Sequence, residues 1–199
     1  AWQRGNGLPI TRYRRRARIF SACGGAALYR KDAVDKLGGF DESFFAYLED
    51  VDIGFRARLN GYINVYCPEA VAYHIGSATS TSISSAFKVG LSIRNNRVML
   101  EKDIPPWMRR LNGPFLRRGQ GRQLEAYRAK GFGDTIDARL AEVEKMLVAR
   151  CPAYEGTRFR HQVSVFISLW AGTFGMVYYK FTRRLLRFLK KRKQSWNLF

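Results

Sequence analysis

Residues 38–61 place acidic side chains at the start of a predicted helix, and this feature constrains the fold more than any other. The apolar residues of the segment recur every four positions, at Val51, Phe55 and Leu59. That spacing is typical of one face of a helix, and Gly61 directly after it predicts where the helix ends. Asp50 precedes the pattern, where a carboxylate can accept hydrogen bonds from the free N–H groups of the first turn. Glu49, Asp50 and Asp52 are therefore expected to gather at one helix start.

These residues alone leave two interpretations of the acidic cluster open. The acids can be helix caps, each contributing a few tenths of a kcal/mol up to ~1 kcal/mol through the helix dipole. Alternatively, a carboxylate held beside the preceding aromatic run can serve as a general base. The neighbouring segments are needed to choose between a cap and a base.

Three short features follow one another at characteristic spacing. They are the glycine-containing loop Cys23-Gly24-Gly25-Ala26, the acidic pair Glu49-Asp50, and His74 after a short predicted strand. Together they make residues 19–100 resemble the acceptor half of family 2 inverting glycosyltransferases of the GT-A fold, especially the rhamnosyltransferase-like bacterial enzymes. The resemblance implies an α/β fold, namely the C-terminal half of a Rossmann-like GT-A domain followed by amphipathic membrane-surface helices.

The resemblance also implies roles for individual residues. Asp50 is expected to be the catalytic base that deprotonates the acceptor hydroxyl, and Glu49 is expected to orient the acceptor. The glycines expected to shape the sugar pocket are Gly24 and Gly25, although a tight turn would equally use their conformational freedom. Arg94 begins an Arg-Asn pair that recurs in the family, and we expect it to face a phosphate.

A divalent metal ion, Mg²⁺ or Mn²⁺, is the cofactor that the resemblance implies. His74 is its expected ligand, although a structural histidine remains the alternative. The Asp-x-Asp motif that would hold the metal and donor diphosphate belongs to an N-terminal nucleotide-binding half that is not found in these 199 residues. Asp50-Val51-Asp52 has the same spelling but lies within the helical periodicity, so we do not interpret it as that motif. We expect the chain, which opens at Ala1, to be a fragment or a split-gene product.

Local patterns predict the remaining elements and three regions. Strands are predicted over residues 19–23, 62–66 and 70–73, and helices over residues 31–37, 86–101 and 134–149, with a mobile loop over residues 76–85. Residues 107–133 have weak periodicity, and we expect a linker or helical insert there. The predicted regions are an acceptor half over residues 1–104, an insert over residues 105–157 and a membrane-associating tail over residues 158–199.

The formal charge of +19 predicts an anionic partner. No acidic residue occurs from Gly156 to Phe199, and residues 163–179 form a 17-residue apolar run followed by a basic tail. A single membrane span there would place the basic tail on the far side of the membrane, against the positive-inside tendency. We therefore expect helices that lie on an anionic membrane surface, at the cytoplasmic face of the bacterial inner membrane.

Three widely spaced cysteines indicate neither a disulfide framework nor a zinc site.

These features predict an inverting glycosyltransferase of bacterial envelope polysaccharide synthesis. Its expected partners are a nucleotide-sugar donor and a lipid-linked or membrane-presented saccharide acceptor. The alternative is a non-catalytic membrane-surface partner subunit derived from a split or truncated transferase. A nucleic-acid partner is not expected, because the basic residues of the tail accompany an apolar run rather than a polar face.

Overall fold

The computed structural model of the chain describes residues 10–73, 85–148 and 152–171. The chain separates into two compact units, Ala1–Gln162 and Val163–Phe199. The insert predicted over residues 105–157 therefore shares a compact unit with residues 1–104, whereas the predicted domain bounds themselves stay a prediction. His74, most of the predicted loop over residues 76–85 and the basic tail lie outside the described residues.

One small sheet is present in the described part of the chain. It consists of β1 (Ala17–Ile19) and β2 (Asn64–Tyr66), which pair antiparallel with Ala17 opposite Tyr66. The strand predicted over residues 19–23 thus begins and ends earlier than expected. The strand predicted over residues 70–73 is wrong, because those residues are irregular and exposed, and β-branched composition forms a strand only where a partner strand accepts its hydrogen bonds. The predicted α/β class therefore appears as mostly helix with one two-stranded sheet.

Two helices carry the segment on which the predicted site depends. The first, α1 (Lys31–Leu37), ends as predicted at Gly38, whose φ of +77° favours glycine. The second, α2 (Glu49–Leu59), confirms the predicted helix, but its N-cap is Leu48 rather than Asp50. The predicted capping role of Asp50 is wrong, because Asp50 already lies within the first turn. Helix α2 is buried on most sides rather than along one stripe.

Three longer helices complete the first unit: α3 (Ser85–Asp103), α4 (Pro106–Arg128) and α5 (Gly133–Val148). Helix α5 packs along α3 and buries Ile136 and Val143, so the predicted apolar face of α5 is confirmed. Of the two expectations for residues 107–133, a linker and a helical insert, the structure has a helix over most of the range, because α4 continues through Pro114 for 23 residues. Pro114 cannot donate to the carbonyl of Arg110, but both residues are exposed and solvent can satisfy that carbonyl.

The first unit closes with a short return segment. The N–H of Ala153 donates to the carbonyl of Lys102 at 3.0 Å, and Trp107 Nε1 donates to Gln162 Oε1 at 2.9 Å. Residues 159–171 are helical. Within the described ranges, no helix has the length and apolar character needed to cross a membrane.

Candidate active site

Helix α2 and the Gly24 loop meet through hydrogen bonds to a single residue. The N–H of Gly24 donates to Asp50 Oδ2 at 2.9 Å, and Ser21 Oγ donates to the Asp50 carbonyl at 2.8 Å. Gly54 allows this approach, since a Cβ there would lie only 2.6 Å from the Cβ of Ser21. The close packing of α2 on residues 21–24 therefore fixes the orientation of the Asp50 carboxylate.

The two predicted carboxylates face the exposed Gly24 turn. A Cβ placed on Gly24 would lie 3.4 Å from the Cβ of Asp50 and 3.7 Å from Glu49 Oε1. The other carboxylate oxygen of Glu49 is buried and has no hydrogen-bond partner among the described residues. Neither Gly24 nor Gly25 has a positive φ, so a left-handed turn does not account for glycine at these positions. A side chain on Gly24 would instead contact Asp50 and Glu49.

Tyr29 adds a polar group that the sequence did not single out. Its hydroxyl is buried and lacks a hydrogen-bond partner in the described part of the chain. Burial is the main cause that raises the pKa of Tyr29, and the negative charges of Asp50, Cys23 and Glu49 raise it further. The phenol therefore keeps its proton at neutral pH and can donate a hydrogen bond. Tyr29 lies in an irregular stretch, and no sequence pattern indicates that it lies near Asp50 and Glu49.

The turn before α2 contains three non-glycine residues with positive φ. They are Phe45, Tyr47 and Leu48, at 58°, 69° and 72°. Such conformations cost on the order of 1–3 kcal/mol each and persist only where the surroundings enforce them. The buried side chain of Asn95 does so from α3, because its Nδ2 lies 2.7–2.8 Å from the carbonyl oxygens of Phe44, Ala46 and Tyr47.

Arg94, the predicted phosphate ligand, contacts the same turn. Its Nη2 donates to the carbonyl oxygens of Ser43 at 2.7 Å and Phe44 at 3.1 Å, and its Nη1 lies 3.7 Å from Glu142. The side chain is only 11% exposed. The structure therefore gives Arg94 a positioning role behind Glu49 and Asp50, while contact with a phosphate stays a prediction.

A buried charge cluster lies on the other side of α2. Lys102 Nζ pairs with Asp52 Oδ1, lies 3.0 Å from Asp41 Oδ2 and lies 3.7 Å from Asp103 Oδ1. Arg56 donates to Asp52 Oδ2 at 2.6 Å and to the carbonyl of Leu37 at 2.6 Å, which ties α2 to the end of α1. Asp52 is thus a structural residue and does not face the Gly24 turn.

The negative charge of one carboxyl group in this cluster is only partly balanced by neighbouring cations. Asp103 is fully buried, and burial together with the adjacent Asp52 carboxylate raises its pKa well above the usual range. Lys102 lowers it only partly. Asp103 therefore contributes less negative charge to this cluster than Asp41 and Asp52, which contact Lys102 directly.

The predicted metal site falls on His74, which lies outside the described residues. Among the residues that are described, no group of three or more His, Cys, Asp or Glu side chains has an arrangement that could hold a metal ion.

Sequence comparison assigns the family. Residues 6–110, more than half of the 199-residue chain, match the family model of glycosyl transferase family group 2. The chain belongs to glycosyl transferase family group 2. The matched range includes the Gly24 turn, Glu49 and Asp50, so the geometry described above lies within the family domain.

Two curated relatives are similar to part of this chain. They are N-acetylglucosaminyl-diphospho-decaprenol L-rhamnosyltransferases of Mycobacterium tuberculosis, from strains CDC 1551 / Oshkosh and ATCC 25618 / H37Rv. Each is 35% identical over 86 residues, which is 43% of this chain and 28% of the relative. The match thus spans less than a third of either relative. No solved structure matches the chain significantly.

Proposed function

We propose that this chain forms the acceptor-binding half of an inverting glycosyltransferase with a GT-A fold, and that Asp50 is its catalytic base. The observation that carries the proposal is the Asp50 carboxylate, which the N–H of Gly24 holds at 2.9 Å beside an exposed glycine turn. No donor to Oδ1 of Asp50 is found among the described residues, so this oxygen is available to a hydroxyl group. The membership of the family supports sugar transfer as the reaction.

The proposed step is a single in-line displacement. The Asp50 carboxylate accepts the proton of an acceptor hydroxyl as that oxygen bonds to the anomeric carbon of the donor sugar. The bond from the anomeric carbon to the diphosphate oxygen breaks on the opposite face, and its electron pair leaves with the nucleoside diphosphate. One base suffices for this reaction, and attack from the opposite face inverts the configuration.

The groups around Asp50 have proposed roles in holding the acceptor. Glu49 accepts a hydrogen bond from an acceptor hydroxyl through Oε1, which lies 3.7 Å from the position a Cβ on Gly24 would take. Gly24 and Gly25 leave room for a sugar ring against the backbone. Asn95 and Arg94 hold the strained turn in place, which fixes the position of the first turn of α2.

The proposed acceptor is a lipid-linked saccharide, and the proposed donor is a nucleotide sugar. The names of the two mycobacterial relatives support a diphosphate-linked polyprenyl acceptor and a rhamnosyl donor. A Rossmann-like half outside the described residues would bind the nucleotide, because the described part of the chain has only a two-stranded antiparallel sheet. The reaction would occur at the cytoplasmic face of the bacterial inner membrane, to which the protein binds peripherally.

A divalent ion, Mg²⁺ or Mn²⁺, would neutralise the departing diphosphate when bound. His74 remains the proposed ligand from this chain. Substitution His74→Ala in the full-length protein should weaken the divalent-metal dependence of donor binding, measured by calorimetric titration with and without a chelator. An unchanged metal dependence would show that His74 is structural.

The role of Asp50 is tested by comparing two isosteric substitutions in the full-length protein. Asp50→Asn should lower turnover by at least ~100-fold with donor binding nearly intact, because it removes a positioned base. Asp52→Asn should instead lower the free energy of unfolding, because Lys102 and Arg56 lose a buried partner. Turnover of both variants is compared at equal folded concentration. An Asp50→Asn enzyme with most of its activity would contradict the assignment of Asp50 as the catalytic base.

A further inference from the structure

Helix α4 has an exposed face that combines apolar and cationic side chains. Leu111 and Phe115 are 58% and 67% exposed, and they lie four residues apart on one face of the helix. Arg118 and Arg122 continue the same face at intervals of three and four residues, and both are exposed. We define the α4 face as these four residues.

The charge around the α4 face has a single sign. Between Ile104 and Leu124 the sequence contains five arginines and no acidic residue. Arg109 pairs with Glu101, but Arg110 and Arg117 are exposed beside the α4 face. Pro114 also lies at the surface between Leu111 and Phe115. An approaching surface therefore meets apolar side chains flanked by cations.

The combination of apolar and cationic side chains on the α4 face favours one kind of binding partner. Interfacial helices place Leu and Phe at the boundary of headgroups and acyl chains, and their arginines remain at the anionic headgroups. A purely electrostatic partner would use the arginines and leave Leu111 and Phe115 in water. A purely apolar partner would have to desolvate the arginines. An anionic bilayer surface satisfies both kinds of side chain at once.

We propose that the α4 face is a membrane-binding surface that takes anionic phospholipid. Leu111 and Phe115 insert below the headgroups, and Arg118 and Arg122 pair with lipid phosphates. The surface belongs to residues 106–128 and does not depend on the basic tail after residue 171. It also does not depend on the catalytic role of Asp50, so its test requires no sugar transfer.

Vesicle co-sedimentation of the full chain tests this surface. The vesicles contain either phosphatidylcholine alone or phosphatidylcholine with phosphatidylglycerol. Leu111→Asp combined with Phe115→Asp should weaken binding to the anionic vesicles by at least about tenfold, because two inserting side chains are lost. The matched control is Ile63→Asp with Val65→Asp, which changes two residues of 55% and 54% exposure near or within β2. The control should bind within about twofold of the unaltered protein.

A second variant separates the contribution of charge and is mild enough to preserve folding. Arg118→Gln combined with Arg122→Gln should reduce binding to anionic vesicles by about tenfold or more and should not change binding to neutral vesicles. Circular dichroism verifies that every variant is folded. Undiminished vesicle binding by both α4 variants would overturn the proposal. Salt-sensitive DNA or RNA binding that depends on the arginines, but not on Leu111 and Phe115, would also overturn it in favour of a nucleic-acid surface.

Discussion

At the scale of single residues, the site is marked by buried polar atoms without partners. A buried hydroxyl or carboxylate oxygen that lacks a hydrogen bond costs on the order of 1–3 kcal/mol. Tyr29 and Glu49 each carry one such atom among the described residues, and the Asp50 and Glu49 charges both influence the pKa of Tyr29. These influences indicate that the Tyr29 hydroxyl lies near both acids, and under the proposed function a bound acceptor would offer it a hydrogen-bond partner.

Tyr29→Phe tests whether that hydroxyl contacts the acceptor. The substitution preserves the aromatic ring, which packs edge-on against Phe40 with centroids 5.4 Å apart. We expect the KM for the acceptor to rise by about two- to tenfold, because one hydrogen bond is worth roughly 0.5–1.5 kcal/mol. The free energy of unfolding should stay equal or rise slightly, since an unpaired buried hydroxyl is removed.

Steady-state kinetics of the full-length protein provides the measurement. The control is Tyr127→Phe, which removes a hydroxyl from α4, where the ring packs against Phe132. Tyr127→Phe should leave the KM for the acceptor unchanged. A Tyr29→Phe enzyme with the same KM as the control would exclude a role of the hydroxyl in acceptor binding.

At the scale of secondary-structure elements, α2 is held from two sides. Asn95 and Arg94 of α3 bind the turn that precedes α2, and Lys102 at the end of α3 binds Asp52 within it. Helix α3 thus contacts both the strained turn and the buried charges, so its placement controls the direction of Asp50. These contacts hold α2 in place although the described part of the chain has only a two-stranded sheet.

The raised pKa of Asp103 predicts how this junction responds to pH. The ordinary pKa of an aspartate is about 4. As the pH rises above that value, Asp103 loses its proton in the unfolded chain while the folded protein still keeps it. The folded state then binds more protons, so this group lowers stability as the pH rises from about 4 toward its folded pKa. Asn at position 103 removes that dependence. The stability of Asp103→Asn relative to the unaltered protein should therefore increase between about pH 4 and pH 7.

Urea unfolding at several pH values measures this difference. The test depends on how the difference in the free energy of unfolding between the two proteins changes with pH. The absolute difference is not decisive, because Asn also alters local hydrogen bonds by an amount that does not depend on pH. A difference that stays constant across the range would show that Asp103 ionises normally in the folded protein, and one that falls as the pH rises would show that folding lowers its pKa; either result contradicts the prediction.

At the scale of the whole molecule, the positive charge is distributed over both units. The sequence carries +19 overall, and the acid-free region begins at Gly156, before the boundary after Gln162. Residues 157–162 belong to the first unit, in which the Gln162 side chain accepts a hydrogen bond from Trp107. A test of the tail must therefore retain these residues.

A chain that ends at Gln162 tests the predicted membrane association of the tail. Removing residues 163–199 deletes the apolar run and the basic residues that follow it. Each basic residue near an anionic surface contributes about 1 kcal/mol, so vesicle affinity should fall by more than ~100-fold while the α4 face retains weak binding. Co-sedimentation of the intact and shortened chains provides the comparison. Equal binding by both chains would rule out the tail as a membrane anchor.

The sequence by itself determined the features that depend on local spacing. The helix α1 with its glycine end, the helix at Glu49–Leu59 and the apolar face of α5 all follow from periodicity and turn chemistry. The glycine loop and the acidic pair also identified the family, since their order along the chain is a property of sequence. These predictions succeeded because a helix and its ends are encoded by residues within a few positions of one another.

The tertiary structure decided which groups meet across long separations in sequence. Asp50 binds Gly24 rather than capping its own helix, and Arg94 and Asn95 hold a turn about 50 residues earlier in the chain. Residues 70–73 have strand-like composition without a strand, and α4 continues through Pro114 because its exposed face tolerates the missing hydrogen bond. Hydrogen-bond partners and burial depend on packing, and packing depends on residues that no local pattern connects.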